Sequence, residues 1–420
     1  MSDTKIIKKN YYHRYVECFL AFVVPESKKV LNIDEKNSDW SNDSNTKYEY
    51  ITAKDVLGNL DDVQSFYTAM SKILEDDGRL VVTQYSALWE PVLRLASMVG
   101  LRRPVSEQNW LTLSDLKNMA YLSGFEVVKS GSKMLCPIYI PIISEFFNKI
   151  LANVYPFSSL GLFHYLVLRK VIRKQSSDTN LPSISIIVPA RNEAGTIERI
   201  ARELPALGPL TEIIFIEGHS SDNTLSEIER VSAFKLQGKK FLKAVQKGKG
   251  KGDAVRLGFD MASGNILAIY DADMTVPPQE VAKFYQALCD NRGEFINGSR
   301  LVYPVEKGAM RVLNLIGNKF FSLAFSSIIG QPIKDTLCGT KVLWRKDYEE
   351  IKSNRGFFGD FDPFGDFDLL FGAVKINRKI IDMPVHYKER VYGTTNINRW
   401  KHGWLLLKMT IFASRKLKFI

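Results

Sequence analysis

Two α/β domains in tandem are what this chain of 420 residues predicts. Three observations carry that expectation. The length allows two ordinary domains with full cores. Short β-branched runs alternate with helical segments, the signature of mostly parallel sheets with helices on both faces. A polar segment, "RKQSSDTNLPS" (Arg173–Ser183), interrupts the pattern near the middle, so the expected division is 1–176 and 177–420.

In the first part, "KVLNI", "YEYITAKDVL" and "GRLVVTQY" read as strands, and "DDVQSFYTAMSKILEDDG" as a helix closed by Gly78. Only a short polar segment separates "KVLNI" from "YEYI". In the second part, "SISIIVPA", "TEIIFIEG" and "NILAIYDAD" read as strands, and "TIERIARELPAL" and "DAVRLGFDMAS" as helices.

Each second-part strand ends in chemistry. "SIIVPARNEAGTI" is a strand broken by Pro189, with Arg191, Asn192 and Glu193 opening a helix. "IIFIEGHSSDNTLSEI" ends in Glu217, followed by a polar turn and Asp222 near a helix start. "KGKGKGDAVRLGF" is a glycine–lysine loop running into a helix, where backbone can approach phosphates and the helix amino end favours anions. It is not a Walker loop, because no Ser or Thr follows a Gly-Lys pair at the required spacing. "YDAD" places Asp271 and Asp273 at a strand end, the edge where ligands of open α/β sheets sit. Two further Asp-x-Asp pairs, Asp360/Asp362 and Asp366/Asp368, lie in the doubled "GDFD" of "FFGDFDPFGDFDLLFG".

Composition narrows the partners. The four cysteines are scattered without CxxC or zinc spacing, which reads as reduced, cytosolic and zinc-free, and no signal-peptide pattern opens the chain. The net charge of +11 is uneven: residues 1–180 carry 22 basic against 20 acidic side chains, and residues 181–420 carry 35 against 26. That asymmetry calls for a polyanionic partner such as a nucleoside diphosphate, lipid phosphate or membrane surface. No nucleic-acid motif is present, so nucleic acid is not expected. Residues 150–168 lack Asp, Glu, Lys and Arg but are too interrupted by polar residues and proline to read clearly as a span. The tail "INRWKHGWLLLKMTIFASRKLKFI" sets Trp400, Trp404, Leu407 and Ile411 on one helical face among basic residues. Such a helix suits a membrane surface, and packing on its own domain suits it equally.

The order VPARNE, EGHSSDNT, GKGKGDA, YDAD and NGSR resembles glycosyltransferase family 2, and "DTLCGTKVLWR", "GDFDLL" and "VYGTTN" resemble its members acting on polyprenyl or dolichyl phosphate. The resemblance covers roughly 182–420 and implies a GT-A nucleotide-sugar-binding, Rossmann-like domain. It further implies that Pro189, Arg191, Glu193, Glu217 and Asp222 frame the nucleoside, that Lys251 faces the phosphates, and that Asp271 and Asp273 hold Mg²⁺ or Mn²⁺ against a nucleoside-diphosphate sugar. Asp366 and Asp368 fall at its acceptor side, Asp368 where an acceptor base is often placed, and Arg390 is a cation for an acceptor phosphate. A helix cap rich in acids is the plain alternative for Asp366 and Asp368. One departure stands out: Glu217-Gly218-His219-Ser220 replaces the family's DDGS, which leaves UDP or GDP open.

"YEYITAKDVLGNLDDVQSFYTAMSKILEDDGRLVVTQYS" resembles the middle of a class I S-adenosylmethionine-dependent methyltransferase, without its glycine-rich cofactor loop. The expectation is a smaller, degenerate Rossmann-like domain serving packing or docking. The leading expectation is therefore an inverting, metal-dependent sugar transferase at the cytoplasmic membrane face. A methyltransferase and a non-catalytic scaffold are the rivals.

Overall fold

A computed structural model describes residues 11–34, 46–100, 109–172, 181–304, 312–357, 365–393 and 399–419. The chain divides into two units, one formed by Met1–Ile172 with Lys418–Ile420 and the other by Arg173–Leu417. The expected boundary at 176/177 lies outside the described residues.

The first unit opens with helix α1 (Tyr11–Val23), followed by β1 (Val30–Ile33) and β2 (Tyr48–Lys54). Helix α2 (Val63–Ile73), β3 (Leu74–Tyr85), α3 (Glu90–Met98) and α4 (Leu113–Leu122) follow, then β4 (Phe125–Lys133) and β5 (Phe163–Lys170). The sheet order is β1-β2-β3-β5-β4, with β1, β2 and β3 parallel and β5 antiparallel to both its neighbours. β1 pairs directly with β2. Helix α2 starts on Asp62, whose carboxylate accepts the Ser65 N–H, but it does not reach Gly78. Leu74 turns to extended angles and begins β3, and the pairing shifts register from Tyr48–Leu74 to Tyr50–Arg79. Gly78 serves a close approach in that bulge: a Cβ there would stand 2.9 Å from the Glu49 carbonyl oxygen and from the Leu74 side chain. The charge-free run at 150–168 becomes short turns and the first residues of the interior strand β5, with Leu166, Val167 and Leu168 fully buried. Among the described residues no helix is long and apolar enough to cross a membrane.

The second unit runs β6 (Ile184–Ala190), α5 (Ile197–Glu203), β7 (Thr211–Glu217), α6 (Thr224–Ser232), β8 (Lys239–Val245), α7 (Lys251–Met261) and β9 (Ile266–Ile269). It continues with α8 (Val281–Cys289), β10 (Phe295–Ser299), α9 (Val312–Ile329), β11 (Lys341–Trp344), α10 (Arg345–Ser353), α11 (Asp366–Lys375), β12 (Ile380–Pro384) and α12 (Arg399–Leu417). Its seven strands lie in the order β12-β10-β11-β9-β6-β7-β8, with only β11 antiparallel to its neighbours. Both faces are covered. Ile187, Ile214 and Ile216 pack with Phe259 of α7 on one side, while Ile186, Val188 and Phe215 pack with Ile200 and Ile228 on the other. Strands buried on both faces read as unbroken apolar runs, which is why they were visible in the sequence.

Pro189 does not break its strand. β9 pairs only with Ile184–Ile187, so Pro189 lies beyond that ladder and β6 continues along β7 to Ala190. The chain leaves β8 for β9 on the far side of β6, making the carboxyl ends of β6 and β9 the switch point of the sheet. The tail helix α12 packs through Leu406, Met409 and Ala413, the face opposite the one singled out by its tryptophans, while Trp404 and Ile411 stay exposed. The side chains of Trp400 and Asp366 lie outside the described residues.

Phe259 is the keystone of the α7 face, buried and edge-on to Tyr348 at 4.7 Å between ring centroids. Phe259→Ala should destabilise the second unit by about 3–5 kcal/mol, read by urea unfolding; a cost under about 1 kcal/mol would show that the helix does not depend on this contact.

Candidate active site

Three strand ends and one helix start converge at the switch point. After β6, Asn192 takes a left-handed conformation (φ 56°), which an asparagine tolerates, and its side chain accepts the Ser221 N–H at 2.8 Å. The Glu193 N–H donates to Thr224 Oγ1 at 2.9 Å and the Ala194 N–H to Asp222 Oδ2 at 3.3 Å. The turns after β6 and β7 are thus laced into one wall. Asp222 is committed to that wall: burial opposes its charge, yet bonds from Thr224 hold its carboxyl below the ordinary value.

Glu217 is occupied by its own turn. Its two oxygens accept the His219 N–H at 3.0 Å and the Ser220 N–H at 2.6 Å. Burial raises its pKa, but these bonds outweigh it and keep the group below its usual range. The glutamate in place of aspartate gives the reach to fold back on the turn. Of the residues expected to frame a nucleoside, Glu193, Glu217 and Asp222 are brought together; Pro189 is half-buried and Arg191 is exposed.

The acid pair sits just beyond β9. Asp271 Oδ1 meets Lys251 Nζ at 2.7 Å. Burial works against its ionisation, but Lys251 first, then Lys341 and Arg300, hold its pKa below the usual carboxylate value. Asp273 Oδ1 accepts from the Thr275 N–H and hydroxyl at 3.1 and 2.9 Å, and its Oδ2 faces Arg390 Nη2 at 3.1 Å. Arg390 also reaches Glu193 Oε1 at 2.8 Å, so one guanidinium joins the β6 wall to the β9 acids. Tyr392 follows, its hydroxyl donating to Asp222 Oδ2 at 3.3 Å. Its ring lies over Gly195, where a Cβ would be only 2.5 Å away.

Two glycines permit this convergence. A Cβ on Gly339 would lie 1.9 Å from Asp271 Oδ2 and 2.4 Å from Lys251 Nζ, so only glycine leaves room for that pair. Gly365 (φ 72°) sits against Gly252, with a Cβ placed 2.6 Å from its Cα. That contact brings the start of α11 beside the start of α7. Asp368, one turn into α11, is buried and accepts from Arg355 Nε at 3.0 Å.

Sequence reasoning gave no roles to Arg300, Asp335 or Lys341, although it quoted their motifs, NGSR and DTLCGTK. Asp335 is fully buried and grips Arg300 Nε and Nη2 at 2.7 and 2.9 Å, with Asn318 Nδ2 donating at 2.9 Å. Burial opposes its charge, but Arg300 drives its pKa well below the ordinary range. Lys341 is buried and bonds the Cys338 carbonyl.

Asp271 and Asp273 suit a hard divalent cation, being two carboxylates held one residue apart. Among the described residues no group of three or more His, Cys, Asp or Glu side chains could hold a metal by itself. An ion here would take its remaining ligands from phosphate, the usual arrangement for Mg²⁺.

Both parts of the chain are similar to known proteins. Residues 185–352 match the family described as "Glycosyl transferase family 2", and residues 9–130 match "Methyltransferase domain". Glycosyltransferase AglJ of Haloferax volcanii is 26% identical over 226 residues, covering 53% of this chain and 69% of that protein. Dolichol-phosphate mannosyltransferase of Pyrococcus furiosus is 25% identical over 260 residues, covering 56% and 67%. Among solved structures, glucosyl-3-phosphoglycerate synthase from Mycobacterium tuberculosis, in complex with Mn²⁺ and uridine diphosphate, matches at 18% identity and TM-score 0.41, covering 56% of this chain and 80% of that one. The chain is a glycosyltransferase carrying a family 2 domain, fused to a methyltransferase-family domain. In that second family domain an acid lies just beyond the end of β2. Asp55 there is buried under the Tyr12 hydroxyl (2.8 Å) and Thr83 (3.0 Å), and Tyr12 stacks on Tyr85 at 4.9 Å.

Glu193 supplies a pH test. Burial pushes its carboxyl up to about 7, with Arg390 lowering it and Asp273 raising it. A raised folded-state pKa means that the folded chain binds the proton more tightly than the unfolded one. Its contribution to stability is full below the unfolded value and is lost as pH rises through about 7. Glu193→Gln removes that loss, so the stability of the variant relative to the parent should climb from about pH 5 to about pH 8 in urea titrations. A flat difference would contradict the assignment.

Proposed function

We propose that the family 2 domain transfers a sugar, with inversion, from a nucleoside-diphosphate donor to a polyprenyl phosphate at a membrane surface. The observation that carries this reading is the joint placement of the Asp271/Asp273 pair, Lys251 and Arg390 at the switch point. The nucleoside lies against Pro189, Arg191, Glu193, Glu217 and Asp222, and Lys251 faces the diphosphate. Asp271 and Asp273 would hold Mg²⁺ or Mn²⁺, which when bound would supply positive charge against the departing nucleoside diphosphate. An acceptor oxygen attacks the anomeric carbon opposite the leaving group, the new glycosyl bond forms as the old one breaks, and the diphosphate takes the electron pair.

The acceptor follows from acid–base chemistry and from the company the chain keeps. The Pyrococcus furiosus relative is named for dolichol phosphate, and an undecaprenyl-phosphate 4-deoxy-4-formamido-L-arabinose transferase of Yersinia enterocolitica is 28% identical over 234 residues. A phosphomonoester has a second pKa near 6, so it reaches the site largely ionised and needs cations rather than a base. Asp368 is unsuited to act as a base while it is buried against Arg355. Arg390 is a cation at the donor edge, and seven Lys or Arg with no acid lie from Arg390 to the end of the chain. Helix α12, with Trp404 and Ile411 exposed, rests on the lipid surface at the cytoplasmic face. Asp366 belongs with Asp368 at the acceptor side.

Steady-state kinetics with a short polyprenyl phosphate test this. Arg390→Ala should raise the acceptor KM strongly. Asp368→Asn should cost far less than the roughly 10²–10⁴-fold that removal of a general base brings. A dead Asp368→Asn beside a near-normal Arg390→Ala would favour a hydroxyl acceptor instead.

A further inference from the structure

The methyltransferase-family unit carries a layer of reversed polarity at the carboxyl edge of its sheet. Two segments build it: 134–162, between β4 and β5, and 86–100, after β3. They are tied together there, the Ser86 N–H donating to the Leu162 carbonyl at 2.8 Å and Trp89 Nε1 to the Leu160 carbonyl at 2.8 Å.

Polar side chains hold this layer from the inside. Ser144 is 0% exposed and Asn148 only 1%. Asn148 accepts the Leu135 and Cys136 N–H groups at 2.8 and 2.9 Å and donates to the Cys136 carbonyl at 2.9 Å; Ser144 donates to the Ile140 carbonyl at 2.6 Å. Apolar side chains face outward. Ile142 is 82% exposed and Tyr155 85%, with Phe146, Ile150, Leu95 and Met98 also exposed. Ile142 has φ 68°, a left-handed conformation that a β-branched residue rarely adopts, and the strain presents an isoleucine to the outside.

A surface meant for water puts its amides outward and its isoleucines inward, whereas a surface meant for hydrocarbon satisfies its polar groups internally. Monomers rarely expose apolar patches beyond a few hundred Å². Charge selects the occupant. Among the described residues of the two segments only Glu90, Arg94, Glu145 and Lys149 are charged, two of each sign, and so sparse and balanced a charge on so apolar a surface suits a lipid bilayer rather than a charged partner. Leu95 and Met98 stand on α3, and Ile142, Phe146 and Ile150 recur every four residues at the start of and along the helical turns of 143–153, an apolar stripe of the kind that lies in a lipid interface.

We propose that this face of the methyltransferase-family unit is seated in the interfacial zone of a lipid bilayer, with Ile142, Phe146 and Ile150 among the acyl chains. It adds a membrane contact separate from α12 and does not depend on the acceptor's identity.

Co-sedimentation of the full chain with vesicles of phosphatidylcholine, alone or with phosphatidylglycerol, tests it. The parent should pellet with both. Ile142→Ser/Phe146→Ser/Ile150→Ser should lose at least about tenfold in partition onto phosphatidylcholine, with unchanged melting, because exposed side chains contribute little to folding but much apolar area to insertion. Should that triple variant misfold, Ile142→Ser alone gives the same readout at smaller size. A parent that stays in the supernatant with both vesicles, or serine variants that pellet like the parent, would overturn the proposal. So would a parent dimer, by light scattering, that the triple variant turns into a monomer, since a second copy would then cover this face.

Discussion

Crowded carboxylates at one sheet edge are the constraint on which the second unit depends. Glu193, Glu217, Asp222, Asp271 and Asp273 gather at the ends of β6, β7 and β9. Like charges this close repel by several kcal/mol at a protein surface unless something intervenes. The fold intervenes differently for each. Glu217 and Asp222 are absorbed by backbone N–H groups and Thr224. Asp271 is met by Lys251, with Lys341 and Arg300 behind. Asp273 and Glu193 share Arg390. Burial pushes the Glu193 carboxyl up in spite of Arg390, whereas Glu217, Asp222 and Asp271 are held below their ordinary values.

Topology explains why the charges meet at all. A sheet whose strand order reverses between the parallel neighbours β6 and β9 leaves a crevice at their carboxyl ends, and each strand delivers one polar turn into it. Glycines then let other elements close in: Gly339 under the Lys251–Asp271 pair, and Gly365 against Gly252. A substituent at either point would push α11 or the Lys251–Asp271 pair out of place. Asp335, fully buried beneath Arg300, fixes a further cation at the same edge.

Much of this was legible in the sequence. Apolar runs that end in Glu217 or Asp271 announce strands buried on both faces, because the first acid after such a run must lie at the sheet edge. What could not be read were pairings across distance. Arg390 joins Glu193 from 197 positions away, and nothing local to either residue announces it. The motifs NGSR and DTLCGTK were visible, but the grip of Asp335 on Arg300 and the space at Gly339 exist only in three dimensions. Local conflicts also misled. Pro189 looked like a strand breaker because the sequence does not show that β9 stops short of it. The helix before Gly78 looked longer because the β3 bulge spends three acids, Glu75, Asp76 and Asp77, and Gly78 inside the strand. In the tail, tryptophans marked one face of α12 while Leu406, Met409 and Ala413 held the other.

The central claim is that Asp271 and Asp273 bind a divalent ion jointly with the phosphates of a nucleoside diphosphate. Manganese electron paramagnetic resonance measures this directly, through loss of the free-ion signal on titration with the full-length chain. The account predicts weak uptake of Mn²⁺ by the protein alone, strong uptake when UDP or GDP is added, and loss of that synergy in Asp271→Asn. Tight Mn²⁺ binding without nucleotide, or unchanged synergy in Asp271→Asn, would contradict it.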